Sequence, residues 1–140
     1  GVKSPEMKSE SLEQRAERIQ NQLRAKYPGA NVFDLNKNCL HFVCEAEPTN
    51  DHPQYDRAVE VIISSKPHKH LKMTQRYTVL SGTLEVFIDD KKVLLHSGDK
   101  YIIHPGEVHW AVSTDECWLE IYSEPGWTAE DHVPVNLPQN

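Results

Sequence analysis

After residue 30 the chain is a succession of short extended segments separated by closely spaced turn signals, and this pattern limits the possible folds more than any other feature. Within the segments apolar side chains recur with a period of two, which is the period of a β-strand. The turn signals that separate the segments are Ser81-Gly82, Asp89-Asp90, Ser97-Gly98-Asp99, Pro105-Gly106 and Thr114-Asp115. Many short strands at this spacing predict an all-β sandwich or barrel.

The predicted strands are short, and a polar loop over residues 48–56 separates the first two of them. They are Cys39–Glu47, Ala58–Ser64, Gln75–Leu80, Thr83–Ile88, Lys92–His96, Lys100–Ile103, Val108–Ser113 and Cys117–Tyr122.

The N-terminal segment has a different period. Its apolar side chains recur at i, i+4, i+7 and i+11, at Leu12, Ala16, Ile19 and Leu23. This spacing predicts an amphipathic helix over Ser4–Tyr27, which Pro28-Gly29 ends. Either Ser4-Pro5 or the pair Ser11 and Gln14 is suited to cap its start. We expect the apolar stripe to pack across the barrel or against a partner subunit.

The sequence thus divides into three parts. Residues 1–30 form an N-terminal helical extension, residues 31–124 form the barrel, and residues 125–140 form a C-terminal tail. The tail contains Pro125, Gly126, Pro134 and Pro138, so we expect it to be loose or to pack as a strap.

Composition argues against several classes of function. With 140 residues, 38% hydrophobic and 26% charged, the chain has the size and balance of one soluble domain. Its net charge of −6, without a stripe of Lys and Arg, makes nucleic acid and anionic membranes poor partners. No apolar run is long enough for a membrane span or a signal peptide.

The three cysteines are expected to be free thiols. Cys39 and Cys44 lie five residues apart on one predicted strand, so they point to opposite faces and are poorly placed for a disulfide. Together with Cys117 they form an odd set without CxxC spacing. Free thiols are typical of a reducing compartment, so a cytoplasmic location is expected.

Four side chains have the types and spacing of a metal site. His68 and His70 are two residues apart, and in an extended stretch both rings project from one face. Gln75 adds a carbonyl oxygen, and His109 adds a third imidazole further along the chain. Three nitrogens and one oxygen suit a divalent first-row transition metal.

These residues resemble the two motifs of the cupin superfamily, in particular its small, single-domain, RmlC-like metal-binding members. The family's first motif is H-x-H, three or four residues, Glu, six residues and Gly, and the chain has His68-Lys69-His70, Gln75 and Gly82 in that order and spacing. The second motif is Gly, five residues, P-x-G, two residues and His, and the chain has Gly98, His104-Pro105-Gly106 and His109. The resemblance covers about Ala58 to Tyr122. It implies a double-stranded β-helix, the cupin jelly-roll barrel.

Two positions depart from the family pattern. Gln75 stands where the family usually has Glu, and His104 stands where it usually has Pro. An amide ligand leaves more positive charge on the ion, which makes the ion a stronger Lewis acid. Mn²⁺, which favours carboxylates, is expected to lose most affinity, whereas Fe²⁺, Ni²⁺, Cu²⁺ and Zn²⁺ lose less. The alternative is that Gln75 does not bind, which leaves a three-histidine site.

Three side chains are candidates for proton transfer. Tyr77 lies two residues after Gln75 and should share its inward face. His104 precedes His109 at a turn near the mouth of the barrel. Glu120 faces inward only if its side of the last strand does, and the opposite, apolar side, with Cys117, Leu119 and Ile121, competes with it for the core. The other histidines, at 41, 52, 96 and 132, are expected to be superficial or structural.

The resemblance defines the fold better than the reaction, because one fold hosts many chemistries. One hypothesis is a metal-dependent isomerase, epimerase or lyase acting on a small polar substrate such as a sugar or keto acid. A second is a non-haem iron or copper dioxygenase, and a third is a non-catalytic small-molecule-binding module. The resemblance also implies a homodimer.

Overall fold

The computed structural model describes residues 9–137. This part of the chain folds into one α-helix followed by ten β-strands, with a 3₁₀ turn over Ala129–Asp131 before the last strand. The elements are α1 (Leu12–Lys26), β1 (Asn31–Asp34), β2 (His41–Glu47), β3 (Asp56–Ser64), β4 (His68–His70), β5 (Thr74–Ser81), β6 (Leu84–Ile88), β7 (Lys91–Leu95), β8 (Lys100–Ile103), β9 (His109–Glu124) and β10 (His132–Pro134).

Local hydrogen bonds define the start of α1. The Gln14 backbone N–H donates to the Ser11 hydroxyl at 3.1 Å, and the Ser11 backbone N–H donates to the Gln14 side chain at 2.9 Å. This capping box pairs N–H groups that the first helical turn leaves free. The helix therefore starts directly after Ser11, and the prediction of Ser4–Tyr27 was too long. Residues 9–10 are not helical, and residues 4–8 lie outside the described part.

The helix packs on the outside of the chain's own sheet. Its buried residues Ala16, Ile19 and Leu23 meet a second set of buried side chains from β2 and β3, namely Phe42, Cys44, Val59 and Val61. Because side chains alternate along a strand, Val43 in β2 and Glu60 in β3 face the interior of the barrel. Of the two expected contacts for the apolar stripe, packing on the barrel is the one observed.

The longest strand, β9, connects most of the barrel. It pairs antiparallel with β3, β4, β5 and β6. Residues 109–112 pair with β6, whereas residues 118–124 pair with β5. The predicted turn at Thr114-Asp115 was therefore wrong, because the polar stretch marks the point where a continuous strand changes partners. The barrel interior is filled from β5, β6 and β9, and its members include Val79, Leu84, Val86, Leu119 and Ile121.

A second boundary also differs from the prediction. Cys39 has a φ of 66°, in the left-handed region, and β2 starts only at His41. Residues in that region do not continue a strand, so the predicted start at Cys39 was wrong. All three cysteines are free, as predicted.

The C-terminal segment is an ordered strap. Strand β10 pairs antiparallel with β4, which places His132 opposite His70 and Pro134 opposite His68. The Trp127 backbone N–H donates to the Asp56 carboxylate and ties the start of the strap to β3.

The helix among residues 9–137 is too short and too polar to cross a membrane.

Candidate metal centre

Three imidazoles converge where β4 meets the start of β9. His68 and His109 are opposite each other in the β4–β9 pairing, and His70 follows on the same face of β4. One ring nitrogen from each of the three lies within 4.8 Å of the other two. The predicted alternation along an extended H-x-H segment is thus what brings these rings together.

Backbone carbonyls set the orientation of each ring. A carbonyl oxygen only accepts hydrogen bonds, so each Nδ1 must carry the proton and each Nε2 must present its lone pair. Such a hydrogen bond is the usual support of a metal-binding histidine. The three pairs are His68 Nδ1 to the carbonyl of Lys66 at 3.0 Å, His70 Nδ1 to that of Asp131 at 3.1 Å, and His109 Nδ1 to that of Glu107 at 2.9 Å.

Burial keeps the three rings neutral. It lowers the pKa of His68 to about 2 and that of His70 to about 4, and in both cases the neighbouring His109 lowers it further. Burial likewise lowers the pKa of His109. Metal binding requires neutral imidazole, so no proton has to be displaced from these ligands at neutral pH.

Unpaired buried atoms indicate what the centre would hold. Within residues 9–137, the Nε2 atoms of His70 and His109 and the Oε1 atom of Gln75 are buried and have no hydrogen-bond partner. Buried polar atoms without partners are costly, and a cation held by the imidazoles would satisfy both Nε2 atoms at once. This donor set, nitrogen from imidazole and oxygen from an amide, fits a divalent transition metal.

The centre opens onto a cavity of about 470 Å³ inside the barrel. His68, His70 and Gln75 line it, together with Tyr77 from the next inward position of β5. Tyr77 is 5% exposed, and burial raises the pKa of its phenol further above the usual value, with the Glu60 carboxylate adding to the shift. The phenol is therefore a proton donor throughout the neutral range.

The other two candidates for proton transfer do not line this cavity. Glu120 lies on the outer face of β9, where it accepts a hydrogen bond from Arg57 at 3.3 Å. The inner face belongs to Leu119 and Ile121, which fill the barrel. His104 is exposed in the turn before β9, where its backbone N–H donates to the Glu107 side chain at 2.6 Å.

Two other groups that the motifs did not indicate are part of the cavity wall. His132 comes from the strap, and its ring stacks on that of His68 at 4.5 Å between centroids. His41 Nε2 and Glu60 Oε1 lie 2.5 Å apart, on the inward faces of β2 and β3. The expectation that His41 and His132 are superficial or structural stays a prediction, and for His41, which is 4% exposed, the structural alternative agrees with its burial. Strand parity with Phe42 would have placed His41 inside, whereas no local pattern links His132 to β4.

Comparisons with known proteins agree with this geometry. The cupin domain family profile matches residues 60–122. An uncharacterised protein from Aquifex aeolicus is 33% identical over 91 residues, which cover 63% of this chain and 74% of that protein. The pectin degradation protein KdgF from Dickeya dadantii is 32% identical over 83 residues, 59% of this chain and 60% of that protein.

A solved structure extends the likeness over a larger share of the chain. The nucleoside dehydratase Pac13 from Streptomyces superposes with a TM-score of 0.68 at 12% identity, over 81% of this chain and 90% of that one. At this identity the likeness concerns the fold alone. The jelly-roll barrel, the two histidine motifs and the family match together show that the chain belongs to the cupin superfamily.

Proposed function

We propose that this cupin is a metal-dependent isomerase, epimerase or lyase acting on a small sugar-derived substrate. The observation that carries the proposal is the set of three oriented, neutral imidazoles, of which His68 and His70 lie in the wall of a cavity that also holds proton-transfer groups. When bound, the divalent ion supplies Lewis acidity toward a carbonyl or hydroxyl oxygen of the substrate. His68, His70, His109 and the amide oxygen of Gln75 are the residues that would hold it.

The chain's own acids and bases would move the proton. Glu60 lies on the inward face of β3, and its Oε1 is hydrogen-bonded to Nε2 of His41, 2.5 Å away. In the proposed step the other oxygen of Glu60 takes a proton from a carbon next to a carbonyl, and the electron pair stays on the substrate. The proton then returns to a carbon in an isomerisation, or to a departing hydroxyl oxygen in an elimination. Tyr77 is placed to donate to a substrate oxygen.

The relatives support a carbohydrate substrate. The protein from Dickeya dadantii is named for pectin degradation, and the structural neighbour Pac13 is a nucleoside dehydratase. Pectin is a polymer of sugar acids and a nucleoside contains a sugar, so a sugar ring or its open-chain form is common to both. Loss of water is a lyase reaction, which is one of the classes proposed here.

The charge of the cavity wall further limits the range of substrates that the site could bind. Carboxylates outnumber cations among its lining side chains, which include Glu45, Glu47, Asp56, Glu60 and Glu130 but only one guanidinium, Arg57. A doubly charged phosphate group would meet repulsion along most of this wall. We therefore propose an unphosphorylated substrate.

Metal analysis followed by anaerobic assays tests the proposal. Protein purified without a metal-chelate resin is expected to convert an unphosphorylated keto sugar in the absence of oxygen. Removal of the ion with a chelator should abolish the conversion, and Glu60→Gln should slow it without loss of bound metal. Oxygen uptake that accompanies turnover would contradict the proposal and indicate a dioxygenase instead.

A further inference from the structure

We propose that Asp131, in the C-terminal strap, is a positioning residue of the metal centre that holds two of its ligands in place. The inference rests on the metal binding proposed above. It assigns a role to a part of the chain outside both histidine motifs.

The carboxylate of Asp131 accepts hydrogen bonds from three consecutive backbone N–H groups. Oδ1 accepts from Leu71 at 2.9 Å and from Lys72 at 2.8 Å, and Oδ2 accepts from Met73 at 3.0 Å. Asp131 is 7% exposed. Hydrogen bonds to a buried carboxylate are stronger than neutral ones, so this cradle is a firm attachment between distant parts of the chain.

The three N–H groups belong to the segment that separates two of the proposed ligands. Residues 71–73 connect His70 at the end of β4 to Gln75 in β5. The position of this short segment therefore determines the distance and direction between those two side chains. By accepting from all three N–H groups, the carboxylate defines the path of the segment.

The same residue also orients a ligand directly. The backbone carbonyl of Asp131 accepts from Nδ1 of His70 at 3.1 Å, which directs Nε2 of that ring toward the other two imidazoles. The next residue, His132, pairs with His70 across β10 and β4. Asp131 thus acts on the centre through its side chain and through its main chain, and supporting hydrogen bonds of this kind commonly tune metal affinity.

Substitution with asparagine is the direct test, because it preserves the size of the side chain and removes its charge. The amide nitrogen that replaces one carboxylate oxygen would oppose at least one of the three N–H donors. We expect Asp131→Asn to weaken Zn²⁺ binding by about 10- to 100-fold, measured by calorimetry on the chelator-treated full chain. Asp90→Asn is the matched control, since Asp90 is an exposed carboxylate in the turn between β6 and β7. It should bind Zn²⁺ as the wild-type protein does.

The outcomes separate this inference from the proposed function. Failure of the wild-type protein to bind Zn²⁺ would refute the metal centre itself. Wild-type affinity in a folded Asp131→Asn variant, even one with a lower melting temperature, would show that Asp131 stabilises the fold without positioning the ligands.

Hydrogen exchange on the wild-type protein gives a second readout that does not depend on folding of the variant. The amide protons of Leu71, Lys72 and Met73 should be protected, and Zn²⁺ should slow their exchange further. The amides of Lys91–Leu95 in the outer hairpin should exchange at an unchanged rate. An unchanged rate at all three cradle amides when Zn²⁺ binds would overturn the inference.

Discussion

At the scale of single residues, Gln75 is the proposed ligand whose identity would determine the charge of the donor set. Its amide oxygen is buried and has no hydrogen-bond partner within residues 9–137, and the residue lies on the cavity wall with His68 and His70. A neutral oxygen donor lowers the attraction for ions that depend on carboxylates and costs less for ions that favour imidazole. The position of Gln75 was predictable from motif spacing, but its unpaired oxygen was visible only in the folded chain.

Replacement of this amide by a carboxylate has a defined expected outcome. Gln75→Glu adds a negative charge to the donor set, so we expect Mn²⁺ to bind about tenfold more tightly or better, as measured by calorimetry. Gln54→Glu, in an exposed loop, adds the same charge away from the centre and should leave the affinity unchanged. Equal Mn²⁺ affinities in wild type and Gln75→Glu would show that residue 75 is not a ligand.

At the scale of elements, sequence patterns predicted several features whose determining contacts are local. The capping box of Ser11, the H-x-H strand and the hairpin turns depend on neighbours a few residues away. Two elements escaped prediction because their partners are distant. The centre of β9 is polar although it is a continuous strand, and β10 exists only because β4 offers it a free edge.

The turn before β6 lies very close to the backbone of β9. Gly82 has a φ of +84°, and a Cβ at this position would lie 2.5 Å from the carbonyl oxygen of Glu116 in β9. Gly82→Ala therefore adds a backbone clash to the conformational strain, and we expect it to lower the free energy of unfolding by about 3 kcal/mol.

Gly29→Ala separates the two contributions, since Gly29 has a φ of +83° with nothing within 4 Å of the added atom. Its cost should be limited to the strain of about 1 kcal/mol. Urea unfolding measures the free energy of unfolding of both variants. Equal losses of stability would show that the backbone of β9 at Glu116 shifts to accommodate the added methyl group without an energetic penalty.

At the scale of the whole molecule, the barrel buries imidazoles that the unfolded chain exposes to water. The helix covers the outer face of β2 and β3 with Ala16, Ile19 and Leu23, whereas Leu12 of the same stripe is 52% exposed. A homodimer stays a prediction. The barrel and the strap together shield the imidazoles around β4 from water, and this has a consequence for stability in acid.

The metal-free protein is expected to lose stability as the pH falls from about 6.5 toward 4. Burial lowers the pKa of His70 from 6.5 to about 4, so over that interval the unfolded state binds a proton that the folded state does not. The stability that neutral His70 confers is therefore complete above pH 6.5 and decreases below it, by about 3 kcal/mol at most.

Urea unfolding of chelator-treated protein at several pH values measures this decrease. His70→Asn should flatten the slope, whereas His96→Asn, at an exposed ring, should leave it unchanged. A slope in His70→Asn as steep as in the wild-type protein would assign the acid sensitivity to other groups.

Elemental analysis of the protein and its histidine variants, after purification without a metal-chelate resin, tests the central claim most directly. The centre formed by His68, His70 and His109 is expected to retain a divalent transition metal in the wild-type protein and in His96→Ala. It should lose that metal in His68→Ala and in His109→Ala. Full metal content in both of these variants would contradict the assignment of the centre.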